Sequence, residues 1–149
     1  MSQYPEKLDE LVADIKSITD RRERAEMLIE IADRFDEVKV PPEIAVQPYD
    51  ERHRAPACES EAFVWAADQP DGTVRFYFDV LNPQGLSAMA MAVIINETLA
   101  GQPLELVAGI SDDIIFDIFG KEISMGKGTG LMGILTLVRR YARERLNKN

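Results

Sequence analysis

Residues Leu86–Leu99 constrain the fold more than any other stretch. They include Ala88, Met89, Ala90, Met91, Ala92, Val93, Ile94 and Ile95, and the run is apolar on nearly every side. A helix without a polar face belongs in the middle of a domain. Asn82 followed by Pro83 reads as its start, a cap and then proline at the first position. Gly101 reads as its end. Met89 and Met91 are expected to fill core space rather than hold a soft metal.

Two helices are expected before this one. Leu8, Leu11, Val12, Ile15 and Ile18 recur at spacings of three and four, which predicts an amphipathic helix of about four turns with Pro5 in its first turn. Asp20 reads as the N-cap of a second helix, running from Arg21 to about Asp36, with Glu23 as capping-box partner. Its apolar face would carry Ala25, Leu28, Ile29, Ala32 and Phe35. Residues 38–48 contain Pro41, Pro42 and Pro48 and predict an extended connection.

Strand-like sequence follows. Tyr49–Arg54 is expected to form a short strand, and Ala62–Ala67 a second. Thr73–Val80 is a third, with Val74, Phe76 and Phe78 alternating. The last two are joined by the turn Gln69, Pro70, Asp71 and Gly72, so they form a hairpin. Beyond the central helix, Pro103–Ala108 predicts one helical turn, Ser111–Phe119 a short helix, and Leu131–Leu146 the last helix. Arg139, Arg140, Arg143, Arg145 and Lys148 suit the C-terminal end of that helix. Gly120, Gly126, Gly128 and Gly130 read as a tight connection into it. Met125–Gly130 faintly resembles a phosphate loop, but the required Gly-Lys-Ser/Thr spacing is not met. The expected class is α+β, a single domain over residues 1–149 with about three antiparallel strands packed against several helices.

The net charge of −9 argues against nucleic acid and anionic membrane surfaces as partners and suits a partner with a basic surface. No apolar run approaches the ~18 residues of a membrane span. Met1–Glu10 has no apolar segment of the secretory kind, so the expected compartment is the cytoplasm. The chain has one cysteine and one histidine. That rules out an internal disulfide and a zinc site of several thiolates. It also disfavours an iron–sulfur cluster held by this chain alone.

The only cysteine, histidine and tryptophan all fall within His53–Trp65, where helical patterning gives way to strands. A free cysteine is commonly a small buried hydrophobe. Here Arg54, Glu59, Ser60 and Glu61 are polar and Pro56 breaks regular structure, which points to a surface loop and favours a nucleophile over a packing residue; whether the thiol is sheltered or exposed at rest is left open by the sequence. A thiol-peptidase pair of Cys58 with His53 is poorly supported. Five extended residues span about 17 Å, and no third group is evident to orient the base. Asp112, Asp113 and Asp117 could share a helix face, but acids at a helix start are ordinary capping and dipole residues.

Arg54, Cys58 and Ser60, with Pro56 at a variable position, match the pattern Asn-Arg-Val-x-Gly-Cys-Gln-Ser-Gln-Val-Trp. In this the chain resembles the SufE family, sulfur acceptors for cysteine desulfurases. The resemblance extends to the two helices before the motif, the hairpin after it, Asp79 at a strand end, Gly85-Leu86 opening the central helix and Gly130-Leu131 opening the last. The chain departs from the pattern at His53, Ala57, Glu59, Glu61, Ala62 and Phe63. Lys127 replaces a usual arginine, and Met125 a usual proline.

The resemblance implies a SufE/IscU-like fold and a mechanism. Cys58, as thiolate, would take the terminal sulfur from the persulfide of a SufS-like cysteine desulfurase. It would thereby stimulate that enzyme, then pass the sulfur to a SufB-like iron–sulfur scaffold. The pyridoxal phosphate belongs to the desulfurase, and no cofactor is expected on this chain. Arg54, Pro56, Ala57, Glu59 and Ser60 would shape the loop and touch the partner, with Lys127 near the same face. A homodimer is compatible with the sequence.

An ordinary thiol is only about 3% thiolate at pH 7. Glu59 and Glu61 would disfavour the thiolate further, and Arg54 would oppose them if turned inward. The free protein is therefore expected to react slowly until a partner activates it. Two other classes stay open: a binding module that regulates its partner without covalent chemistry, and a cluster scaffold, which the cysteine count disfavours.

Overall fold

The computed structural model describes residues 4–148. Met1–Gln3, part of the N-terminal stretch read above as lacking an apolar segment, lie outside the described residues. In chain order the elements are α1 (Glu6–Lys16), α2 (Arg21–Ala32), β1 (Ala62–Asp68), β2 (Val74–Val80), α3 (Leu86–Leu99), α4 (Leu104–Ala108), α5 (Asp113–Phe119) and α6 (Met125–Leu146). Short 3-10 turns occupy Phe35–Glu37 and Glu51–His53. No helix among the described residues is long and apolar enough to cross a membrane.

The apolar run at 86–99 is the central helix, as its patterning requires. Ala90, Met91, Ala92, Val93, Ile94 and Ile95 are all buried, and α3 packs against α1, α2, α6 and β2. Its start lies later than expected. Asn82 Oδ1 accepts from the Gln84 backbone N–H at 2.9 Å, an Asx turn that precedes the helix. Gly85 is the cap residue, so Asn82 and Pro83 belong to the approach. α1 ends at Lys16, short of Ile18, and Pro5 occupies its cap position. α2 begins where Asp20 predicts, because Asp20 Oδ1 accepts from the backbone N–H groups of Arg22 and Glu23. It stops at Ala32, and Phe35 reaches the core from a 3-10 turn instead.

The sheet has two strands, not about three. β1 and β2 pair antiparallel from Ala62↔Val80 to Asp68↔Val74. Each outer edge is met by a single bridge residue: Lys39 lies parallel to Phe78, and Arg54 antiparallel to Phe63. Proline explains both stubs. Pro41 and Pro42 have no N–H to extend the first pairing, and Pro56 has none to extend the second. Asp50 also accepts from the Arg52 backbone N–H at 2.9 Å, drawing Glu51–His53 into a 3-10 turn where a strand was expected.

Both faces of this hairpin are buried. Val64, Phe76 and Phe78 join the main core around α3. Phe63 and Trp65 point the other way and pack with Val40, Ala45 and Tyr49. The proline-rich connection thus serves as a lid on the outer face. Two hydroxyls pin the hairpin. Tyr49 donates to the carboxylate of Asp79, which is only 4% exposed, at 2.6 Å. Tyr141 of α6 donates to the Val64 carbonyl at 2.9 Å.

The glycine-rich stretch is a further correction. It is not a connection but the opening of α6, which starts at Met125, six residues before Leu131. Ser124 caps it, its hydroxyl accepting from the Lys127 backbone N–H at 3.3 Å. Gly120 still turns the chain, at φ 92° after α5, whereas Gly130, and Gly133 one turn on, serve close approach. A β-carbon at Gly133 would collide with the Pro56 carbonyl, and one at Gly130 would lie 3.2 Å from Cys58 Cα. Two of the arginines near the end of α6 tie it to neighbouring segments. Arg139 pairs with Asp112 at 2.8 Å, and Arg145 with Asp68 at 2.8 Å.

The packing has two measurable consequences. Gly133→Ala should lower the urea stability by about 2–3 kcal/mol through overpacking. Gly126→Ala, whose β-carbon would meet nothing within 4 Å, should instead gain up to about 1 kcal/mol of helix propensity. Equal effects at the two positions would contradict the close approach. The second consequence concerns pH. Burial, then the hydrogen bond to Asp79, pushes the Tyr49 phenol up to about 12. Burial likewise pushes Tyr141 up to about 12. An unfolded phenol ionises near pH 10, so from about pH 10 to 12 only the unfolded chain gains the charge and stability falls. Urea midpoints measured across that window should drop, and drop less in Tyr49→Phe/Tyr141→Phe.

Candidate functional site

The loop from Ala55 to Glu61 leads into β1 as one tight excursion. The Ala55 N–H donates to the Ala62 carbonyl at 2.8 Å and closes the base of the loop. The Glu61 N–H donates to the Cys58 carbonyl at 3.2 Å and closes its tip. Two non-glycine residues bracket the cysteine with left-handed backbone, Ala57 at φ 59° and Glu61 at φ 53°. Such conformations are unfavourable for residues with a β-carbon, so the loop is held by its surroundings rather than by local preference. The Leu81 and Asn82 N–H groups donate to the carbonyls of Glu61 and Ser60. On the other side Pro56 and Cys58 rest on Gly133 and Gly130 of α6.

This clamping places the thiol. Cys58 is 7% exposed and packs with the main core, yet it also lines a groove of about 510 Å³. Leu28 and Ile29 of α2 form one side of the groove, Gln84 and Leu86 the approach to α3, and Lys127 with Gly130 the start of α6. Three elements far apart in sequence therefore converge on one sulfur. The structure answers what the sequence left open, whether the thiol is sheltered or exposed. The loop is on the surface, but its cysteine turns inward.

The residues singled out from sequence separate into groups. Glu59, Ser60 and Lys127 line the groove with Cys58. Pro56 and Ala57 are solvent-exposed on the loop, with their backbone against α6. Arg54 does not turn toward the thiol. Its guanidinium lies 4.0 Å from Glu51, and it is not among the groove residues. His53 is also engaged elsewhere. Its Nδ1 lies 3.0 Å from both the Val64 carbonyl oxygen and the Tyr141 hydroxyl, and its ring stacks on Trp65. No peptidase-like pair with Cys58 is formed. Asp112 pairs with Arg139 and Asp117 with Lys16, so the acids of α5 and its approach brace helices. No group of three or more metal-ligating side chains occurs among the described residues.

Sequence reading missed the α2 and Gln84–Leu86 walls. Leu28 and Ile29 read as one apolar helix face, and only the position of the loop reveals that Ile29 borders an open groove.

Comparison with known proteins bears on the whole chain. The SufE family model, the Fe-S metabolism associated domain, matches residues 9–142. A solution structure of a hypothetical protein from Thermus thermophilus is similar, with 26% sequence identity and a TM-score of 0.75. The likeness covers 97% of this chain and 98% of that one. No curated protein matches. With the family motif seated on the groove and the family model spanning nearly the whole chain, this protein belongs to the SufE family, whose domain is associated with Fe–S metabolism.

Proposed function

We propose that this protein accepts sulfur from a cysteine desulfurase onto Cys58 and carries it toward iron–sulfur cluster assembly. The observation that carries the reading is the position of Cys58. It is the only thiol in the chain, and it forms part of the wall of a groove built from three separate elements. A packing cysteine needs no groove, whereas a sulfur carrier needs both access and shelter.

The chemistry is a transfer between sulfurs. The Cys58 thiolate attacks the terminal sulfur of the desulfurase persulfide, and a new S–S bond forms at Cys58. The old S–S bond breaks, and its electron pair leaves with the desulfurase cysteine as thiolate. No net oxidation or reduction occurs. Clearing its product stimulates the desulfurase. The pyridoxal phosphate that first mobilises the sulfur is held by that enzyme. The same exchange, run toward an iron–sulfur scaffold, unloads Cys58.

Shelter and reactivity then pull in opposite directions. An exposed persulfide exchanges with any thiol that reaches it. At 7% exposure Cys58 is guarded from small thiols, and equally from an incoming desulfurase. Loading therefore requires the Pro56–Glu61 loop to shift when the partner docks. Burial of the thiol also favours a second reading, in which the protein binds and regulates a desulfurase without covalent chemistry.

Intact-mass spectrometry after incubation with a desulfurase and labelled cysteine should show one added sulfur, located on Cys58. Cys58→Ser should still bind the enzyme but gain no sulfur and give no stimulation. Full stimulation by Cys58→Ser would instead support the non-covalent reading. A separate check is the rate with an aromatic disulfide reagent at pH 7. Free Cys58 should react at least about tenfold more slowly than glutathione and speed up on denaturation. A free protein that outpaces glutathione is incompatible with a sheltered carrier.

A further inference from the structure

One buried charge in the molecule takes no part in the sulfur chemistry. Asp79 and Thr98 are the buried polar side chains among the described residues. Thr98 returns its hydroxyl to the Ile94 carbonyl of its own helix, an ordinary arrangement. Asp79 is different. It is a carboxylate near the end of β2, and no cation pairs with it among the described residues. Burying a carboxylate without a cation is costly unless donors meet its oxygens. Both oxygens are met. Oδ2 accepts from the Tyr49 hydroxyl at 2.6 Å, and Oδ1 from the Val80 backbone N–H at 2.8 Å. The first is a short, charge-assisted bond. Burial and this bond push the Tyr49 phenol up to about 12, so the donor keeps its proton at neutral pH.

The two donors lie on the chain that enters the cysteine loop and on the strand end that clamps it. Tyr49 stands on the entering chain. From it the backbone passes through the Asp50-capped turn Glu51–His53 to Ala55, whose N–H closes the loop base. Val80 stands on the clamp. The next two N–H groups, of Leu81 and Asn82, hold the carbonyls of Glu61 and Ser60. Val80 and Ser60 also flank Gly85, where a β-carbon would lie 2.8 Å from Val80 Cγ1 and 3.0 Å from Ser60 Cβ. Ser60 in turn lines the groove with the thiol. One carboxylate therefore joins the segment that enters the loop to the segment that grips its far end. The loop needs such a brace, since Ala57 and Glu61 have left-handed backbone that local preference does not supply.

We propose that Asp79 and Tyr49 are positioning residues for sulfur transfer, whose bond sets the seat of the 55–61 loop and so the shelter of Cys58. Neither touches the sulfur. Asp79 acts through residues 80–82, and Tyr49 through the turn before Ala55. With the bond intact the loop rests closed on α6, and the thiol or its persulfide is covered. Without it both ends of the loop loosen, and the loop opens locally while the core stays folded. The inference rests on the sulfur-acceptor reading for what the shelter protects, but the shelter itself is measurable on the free protein.

The first measurement is the rate of Cys58 with an aromatic disulfide, in urea well below the unfolding midpoint. Tyr49→Phe, which keeps the ring, should react about threefold or more faster than the unaltered protein. That gain should hardly change with urea, as local opening requires. Asp79→Ala should gain at least as much. Asp79→Asn still bonds both neighbours and should stay within about twofold of the unaltered rate. Ile118→Val trims the core of α5 outside the groove, lowering stability without touching the brace, and should leave the rate unchanged. An unchanged rate in Tyr49→Phe overturns the proposal. So does a gain that climbs steeply with urea or that Ile118→Val matches. The second measurement loads each protein with a purified cysteine desulfurase and labelled cysteine, then follows the persulfide in glutathione. The persulfide of Tyr49→Phe should decay about threefold or more faster, and an equal lifetime overturns the proposal. If the unaltered protein gains no sulfur, the acceptor reading fails, while the thiol rates still decide whether the brace holds the loop.

Discussion

The contact between the Pro56–Cys58 backbone and the glycine face of α6 is what the rest of the site depends on. A helix surface covered by side chains keeps a neighbouring chain at a distance. Gly130 and Gly133 remove that spacing, so the loop backbone reaches the helix itself. The close seat pulls Cys58 below the surface, and the start of α6 then stands beside the thiol with Lys127. It also sustains the left-handed backbone at Ala57, which a free loop would relax. The glycines lower the helix propensity of the α6 N-terminal half. That loss, about 1 kcal/mol per glycine, is offset by packing and by the Ser124 cap.

A two-stranded sheet is too small to stabilise itself, and the structure shows how it is supported. α3 buries the inner face with a continuous apolar surface. The outer face is covered by the proline-rich connection, whose Val40, Ala45 and Tyr49 meet Phe63 and Trp65. The open edges are closed without further strands. One bridge residue meets each, and Tyr141 and His53 occupy the Val64 carbonyl. Unpaired edges invite association with other chains, so this covering has a second benefit. It also explains why the one histidine of the chain takes no part in the site.

Much of the architecture was legible because periodicity reports burial directly. The apolar run at 86–99 read as a central helix, and the alternation of Val74, Phe76 and Phe78 as a strand with one face in the core. Asp20 announced the start of α2 through its side-chain chemistry. Errors fell where tertiary contact overrides local preference. Four glycines in and before the first turns of α6 look like a loop by propensity, yet the helix begins at Met125, and its Gly130 lies against the Cys58 backbone. Tyr49–Arg54 looks extended, but Asp50 caps a turn and Pro56 prevents further pairing.

The sequence by itself determined the chemistry at issue: one thiol, no second metal ligand of its kind, and acids flanking it on a proline-bearing loop. Its motif also pointed to the family, since residue identity is what a motif records. Only the tertiary structure decided what surrounds that thiol. Cys58 is sheltered, Arg54 and His53 face other partners, and Ile29, Leu86 and Lys127 share its groove. Each of these facts depends on elements distant in sequence being packed side by side. Patterning states which faces of a helix or strand are apolar. It does not state which of those faces will be left uncovered when the pieces pack.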